Sequence, residues 1–184
     1  GVGLIKNYAQ MVTMDFKKIS NLVLVIGKTE GHLDQSLFAR SLLDEKNGPP
    51  PEINLFNEKN NGETVLQLIK NNYVKSAHDV SLGGILTAIS KMCIKGNKGI
   101  ELNKQQYSMS DIEYFFSEDQ GRYIIEINPS DFKEVAKILE KNSVHFEELG
   151  KIIDKHVIIN KKTKVTIDEL KTYNSNWLNN YMSS

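Results

Sequence analysis

The chain has 184 residues, 40% hydrophobic and 25% charged, with 23 Lys+Arg against 23 Asp+Glu. That is ordinary globular composition, with enough chain to bury a core in one domain or two small ones. The zero net charge offers no nucleic-acid footprint, no apolar run nears the ~20 residues of a bilayer span, and a single cysteine, Cys93, excludes an internal disulfide and a zinc-finger spacing. A reducing, cytoplasmic location is expected.

The chain opens on Gly1 without a charged and then apolar leader pattern. GVGLI (1–5) reads as the interior of a longer polypeptide, so an excised domain is expected. NLVLVIGKTEG (21–31) predicts a buried strand ending at a turn at Gly27. Leu37, Phe38, Leu42 and Leu43 have helical spacing within 34–45, with Asp34 or Ser36 as N-cap. NGPPPEINL (47–55) must break that helix, because its prolines lack the amide donors a helix uses. ETVLQLIK (63–70) returns to a helical pattern, and YVKSAHDVS (73–81) reads as a strand. GGILTAISKMCIKGN (83–97) predicts an amphipathic helix with Ile85, Ile89, Met92 and Cys93 on one side and Gly96 as C-cap. KGIELN (98–103) is a short strand. IEYFFSEDQGRYIIEIN (112–128) reads as two strands around a polar turn. Pro129 then precedes a helix over 130–142 with Ser130 as N-cap. Strands are expected over 145–154 and 155–160, KTKVTIDELK (162–171) follows, and WLNNYMSS (177–184) reads as a short docking helix. Alternating strands and helices point to a layered α/β or α+β domain.

Three stretches carry candidate chemistry. In SAHDVSLGG (76–84), a strand runs into glycines and a helix start. Free N–H groups there suit a phosphate, but neither GxGxxG nor GK[ST] is present. The plainer reading is that Asp79 or Ser81 caps the helix while Gly83 and Gly84 permit close packing. His78 and Asp79 are neighbours on a strand, so their side chains should point to opposite faces rather than pair. FFSEDQGRY (115–123) crowds Ser117, Glu118, Asp119, Gln120 and Arg122 into one turn. It reads either as a hairpin turn or as a polar loop in which Arg122 offers its fork to a phosphate. GKTEGHLDQS (27–36) places a polar loop after a strand, where α/β proteins often bind ligands, or is a mobile loop. His32, His145 and His156 stand alone and read as surface or satisfied histidines. Lys161-Lys162 reads as a solvated turn.

Taken together and in order, these stretches resemble one family. GVGLI with VTMDFK (12–17), IGKTEGHLDQS (26–36), PPEINL (50–55), SAHDVSLGG, FFSEDQGRY and FEELGK (146–151) are similar to the C-terminal domain of the large ATP-dependent subunit of phosphoribosylformylglycinamidine synthase. WLNNYM (177–182) looks like that family's chain end. Each motif alone is weak; six in register across nearly the whole chain are specific. The resemblance implies membership of the aminoimidazole ribonucleotide (AIR) synthetase-like superfamily. It implies an α+β fold with a mixed or largely antiparallel sheet covered by helices on one side. It also implies a division into 1–18, the tail of a preceding domain or a linker, and 19–184, the C-terminal domain.

The family enzyme converts formylglycinamide ribonucleotide, ATP and glutamine-derived ammonia into the amidine, a step of purine synthesis. Its ATP contacts and Mg-binding acids lie mostly in N-terminal domains absent from this sequence. The resemblance therefore implies ATP and Mg for the full-length enzyme, no cofactor in this segment, no catalytic residue and no metal ligand. The implied partners are the missing N-terminal domains, a glutaminase subunit or domain and a small-molecule substrate, with no nucleic acid and no membrane. Candidates for lining a substrate or nucleotide cleft are His78, Asp79, Ser81, Gly83, Gly84, Ser117, Glu118, Gln120 and Arg122. Two departures fit a structural half-site: Leu82 stands where relatives carry an acid, and Asp34 where they carry glycine. Alternatives are a non-catalytic packing and docking module, or the same domain of another superfamily ATP enzyme.

Overall fold

LVLVI (22–26) forms strand β1, Leu22–Ile26, and all five side chains are buried. A run apolar at every position suits a strand covered on both faces. Val23 and Val25 enter one core, while Leu22, Leu24 and Ile26 enter a second on the opposite face. Each such side chain contributes about 1.5–3 kcal/mol on burial. The computed structural model describes residues 4–5, 7–104 and 108–183, without the side chains of 178–180. Gly1–Gly3 of the GVGLI motif, and the side chains of 178–180 in WLNNYM, lie outside the described residues.

The remaining elements are α1 (Leu37–Leu42), α2 (Leu55–Lys70), β2 (Val74–Val80), α3 (Gly84–Gly96), β3 (Gly99–Leu102), α4 (Asp111–Phe116), β4 (Arg122–Ile127), α5 (Phe132–Lys141), β5 (Phe146–Ile153), β6 (His156–Ile159), β7 (Thr163–Thr166) and α6 (Ile167–Ser183). Among the described residues, seven strands form one sheet in the order β2-β4-β1-β5-β3-β6-β7. Every neighbouring pair is antiparallel except β3–β6. The expected mixed, largely antiparallel sheet with helices is therefore what the chain forms. Its helices divide between the faces. Residues of α3, α4 and α6 fill one core, and residues of α2 and α5 fill the other. Cover on a single side describes only the β3 and β6 end, because α2 and α5 pack on β1, β2 and β4.

Several local expectations are corrected. Residues 111–116 are helical, not a strand. Ser110 Oγ accepts the Glu113 N–H at 3.1 Å, and the Glu113 carboxylate accepts the Ser110 N–H at 2.8 Å. This reciprocal capping box starts a helix despite the β-favouring Ile, Tyr and Phe that follow. Second, α3 is capped by neither Asp79 nor Ser81; Gly83 is its N-cap, at φ 84°, with no side-chain cap bond of its own. Its C-cap is Asn97, at φ 51°, while Gly96 remains helical. Third, Pro129–Asp131 forms a 3₁₀ turn, and α5 begins after it without a Ser130 cap. Proline's fixed φ starts that turn early. The helix expected at 63–70 also begins sooner, at Leu55, with the Asn54 side chain accepting the Asn57 N–H at 3.0 Å. Ser36 caps α1 as expected.

The segment preceding β1 is tied down by a carboxylate that periodicity does not reveal. Glu126 on β4 is wholly buried. It accepts the N–H of Lys17 at 2.8 Å and of Lys18 at 3.0 Å, the Asn21 amide at 2.7 Å and the Ser76 hydroxyl at 2.8 Å. Four donors compensate the burial of its charge. At the other end, α6 presents Tyr173, Trp177 and Tyr181 outward, the last two with ring centroids 6.5 Å apart. No helix among the described residues is long and apolar enough to cross a membrane.

Candidate functional site

The fold brings the three polar stretches together at one end of β1 and β4. Residues 117–121 link α4 to β4 and lie against the loop that follows β1 and against the turn before α3. Glu118 joins all three. Its Oε1 accepts the Leu37 N–H at 2.8 Å and the Gly83 N–H at 2.7 Å, while its own N–H donates to His32 O at 3.1 Å. One carboxylate oxygen thus serves the start of α1 and the start of α3, where free N–H groups and the helix dipole both favour negative charge. Gly84 makes this approach possible. A Cβ there would lie 2.6 Å from Ser117 O and 2.7 Å from Phe115 O.

Asp119 and Arg122 form the second part of the junction. The Asp119 carboxylate accepts three successive backbone N–H groups: Glu30 at 3.0 Å, Gly31 at 3.1 Å and His32 at 3.1 Å. Arg122 is 1% exposed. Its Nε donates to Asp119 O at 3.1 Å, Nη1 to Thr29 Oγ1 at 3.0 Å and Nη2 to Ser117 O at 2.7 Å. Nη1 also lies 3.7 Å from Asp119 Oδ2. Burial lowers the guanidinium pKa, with Asp119, Tyr114, Glu118 and Glu147 pulling it back up. Arginine remains charged through such a shift. Of the two readings of FFSEDQGRY, neither a two-strand hairpin nor an outward fork is formed: 111–116 is helical, and Arg122 turns inward and spends its donors on the loops.

A cleft of about 570 Å³ opens beside this junction. Lys28, Glu30, Gly31, His32, Asp34, Glu52, Asn57, Glu58, Asn61, Glu113, Asp119 and Gln120 are among its lining. Of the expected site residues, Gln120 lines it directly. Glu118, Gly83, Gly84, Arg122 and the wholly buried Ser117 support its wall from behind. The Ser117 hydroxyl has no hydrogen-bond partner among the described residues. The contribution of α2 through Asn57, Glu58 and Asn61 was missed in the sequence. The signal available was the polar run NEKNNGE just after Asn54.

His78 and Asp79 lie elsewhere. They border a separate opening with Met14, Val65, Ile69, Ala77 and Tyr123. Contrary to expectation they do pair, His78 Nδ1 standing 3.0 Å from Asp79 Oδ1. The Asp79 side chain is 63% exposed and free to turn toward the ring, whose own exposure is 10%. Burial would raise the Asp79 pKa, but hydrogen bonds from the exposed Ser81 hydroxyl, the backbone and His78 outweigh it and hold the carboxyl below its ordinary value. His78 Nε2 is buried with no partner among the described residues.

Among the described residues, no three His, Cys, Asp or Glu converge as metal ligands. The cleft's acids are otherwise engaged or apart: Asp119 is held by three N–H groups, and Glu113 closes the α4 cap. The set present among the described residues does not fit a magnesium ion.

A profile describing "AIR synthase related protein, C-terminal domain" matches residues 19–161. The chain belongs to the AIR synthase related C-terminal domain family. Within it, the phosphoribosylformylglycinamidine synthase subunit PurL of Pelagibacter ubique is 65% identical over all 184 residues. The chain spans a quarter of that relative's length, and likewise a quarter of the Azorhizobium caulinodans PurL subunit, which is 33% identical. The solved Thermotoga maritima PurL complexed with FGAR shares the domain fold at a TM-score of 0.73 and 21% identity, covering 89% of this chain and 30% of that one.

Proposed function

We propose that this AIR synthase C-terminal domain is the last domain of a PurL-type phosphoribosylformylglycinamidine synthase. In that enzyme, formylglycinamide ribonucleotide, ATP and glutamine-derived ammonia yield formylglycinamidine ribonucleotide. The observation that carries this reading is 65% identity without interruption of coverage to a relative of that name. Residues 1–18 form the approach from the preceding domain, and 19–184 form the C-terminal domain. ATP and magnesium belong to the rest of the enzyme, and a glutaminase supplies ammonia in a cytoplasmic setting.

This chain's own part is architectural. Glu118, Asp119 and Arg122 fix three loops as one wall of the cleft, leaving Lys28, Asn57 and Gln120 on its surface. Holding a cleft wall before ligand arrives lowers the ordering cost of binding. The expected result with the purified full-length protein is ATP-dependent formation of the amidine from formylglycinamide ribonucleotide and ammonium salt, followed by product chromatography and ADP release. Folded full-length protein that releases no ADP in response to formylglycinamide ribonucleotide would refute the assignment.

A further inference from the structure

The loop after β1 is built as an anion site, and its anion is part of the chain. Glu30, Gly31 and His32 direct three consecutive N–H groups at the Asp119 carboxylate, two to Oδ2 and one to Oδ1. Gly31, at φ +83°, supplies the left-handed turn that lets successive amides converge. Arg122 Nη1 adds a buried positive charge 3.7 Å from Oδ2. Converging backbone amides backed by a cation are what phosphate-binding loops use. The Asp119 side chain is only 7% exposed, yet Asp119 and all three amide-bearing residues border the cleft.

We infer that Asp119 is a resident anion that closes this nest to phosphate-bearing ligands, and so sets which chemical end of a ligand the cleft accepts. The inference goes beyond the proposed synthase role and stands on this geometry alone. An incoming phosphate would have to expel a carboxylate already holding three N–H bonds. The expelled carboxylate would then enter a cleft lined by Glu30, Asp34, Glu52, Glu58 and Glu113. That acidic lining also disfavours a phosphate's approach. The phosphate end of any nucleotide in this cleft is therefore directed away from residues 30–32.

The test vacates the nest in the full-length protein and offers it small oxyanions. Asp119→Ser leaves room for formate or inorganic phosphate, Asp119→Asn keeps the space filled, and Glu118→Ser loosens the same loops without opening the nest. Melting temperature is measured against sodium formate and sodium phosphate, with sodium chloride at equal ionic strength as baseline. For D119S, a saturable rise of about 3–6 °C in the melting transition of this domain is expected at tenfold the dissociation constant. Wild type, D119N and E118S should match the chloride baseline. An equal response in all four proteins, or none in D119S, overturns the inference. Should D119S fail to fold, wild-type crystals soaked in phosphate decide. Asp119 is expected to stay on the three amides, and an oxyanion there with Asp119 displaced overturns the inference.

Discussion

Arg122→Met is expected to destabilise the domain by about 3–5 kcal/mol, the cost typical of breaking a buried ion pair from one side. The methionine fills much of the volume but supplies no donor. Asp119 O, Thr29 Oγ1 and Ser117 O each lose the hydrogen bond Arg122 gave them, and the Asp119 carboxylate loses its nearby charge. Arg122→Lys should recover little, because one ammonium cannot reproduce a planar fork reaching three acceptors. Calorimetric melting should register a fall of roughly 10 °C for R122M in a unit of this size. A loss under about 1 kcal/mol would place the guanidinium in the range of an exposed pair and remove it as the centre of the junction.

Glu126→Ala carries the second large effect. Its carboxylate is the acceptor for four donors, two of them the main-chain N–H groups of Lys17 and Lys18. Removing it strands those donors in a buried setting, at about 1–3 kcal/mol for each that water does not reach. The total expected loss is about 3 kcal/mol or more. The opening should be local first, because the bonds concern the strap over 13–21 rather than the sheet. Trypsin reads this directly at Lys17 and Lys18. Cleavage there should be at least about tenfold faster in E126A than in wild type, since cleavage follows the population of the open form. Unchanged cleavage would mean the strap is held by Phe16 burial and the Thr13–Ser76 bridge instead.

What the sequence revealed divides along a physical line. β1 was legible because five consecutive apolar residues have few uses other than a strand buried on both faces. The Ile85, Ile89, Met92 and Cys93 stripe of α3 was legible because a 3.6-residue period survives any tertiary context, and all four are buried. α4 was not, since Ile, Tyr and Phe favour strands while the decisive signal was the Ser110–Glu113 capping box. The polar junction was legible as a place but not as an arrangement. Ser117, Glu118, Asp119 and Arg122 are the residue types a ligand site would use, and also those a buried loop junction needs. Which way Arg122 turns depends on where β1 and α4 lie, which no local pattern encodes. His78 and Asp79 failed for a related reason. Strand neighbours start out on opposite faces, but the short Asp79 side chain is 63% exposed and turns back along the strand to the ring beside it, which alternation alone does not exclude.

Amide hydrogen exchange at Glu30, Gly31, His32, Leu37 and Gly83 in the unliganded full-length protein tests the loop junction most directly. These five N–H groups donate to two carboxylates rather than to a strand or helix ladder. If Glu118 and Asp119 hold the loops before any ligand binds, all five should exchange slowly and lose protection together in R122M. Exchange of the five at the rate of an unstructured peptide, while β1 and β4 amides stay protected, would contradict it and make the cleft wall a structure that ligand must create.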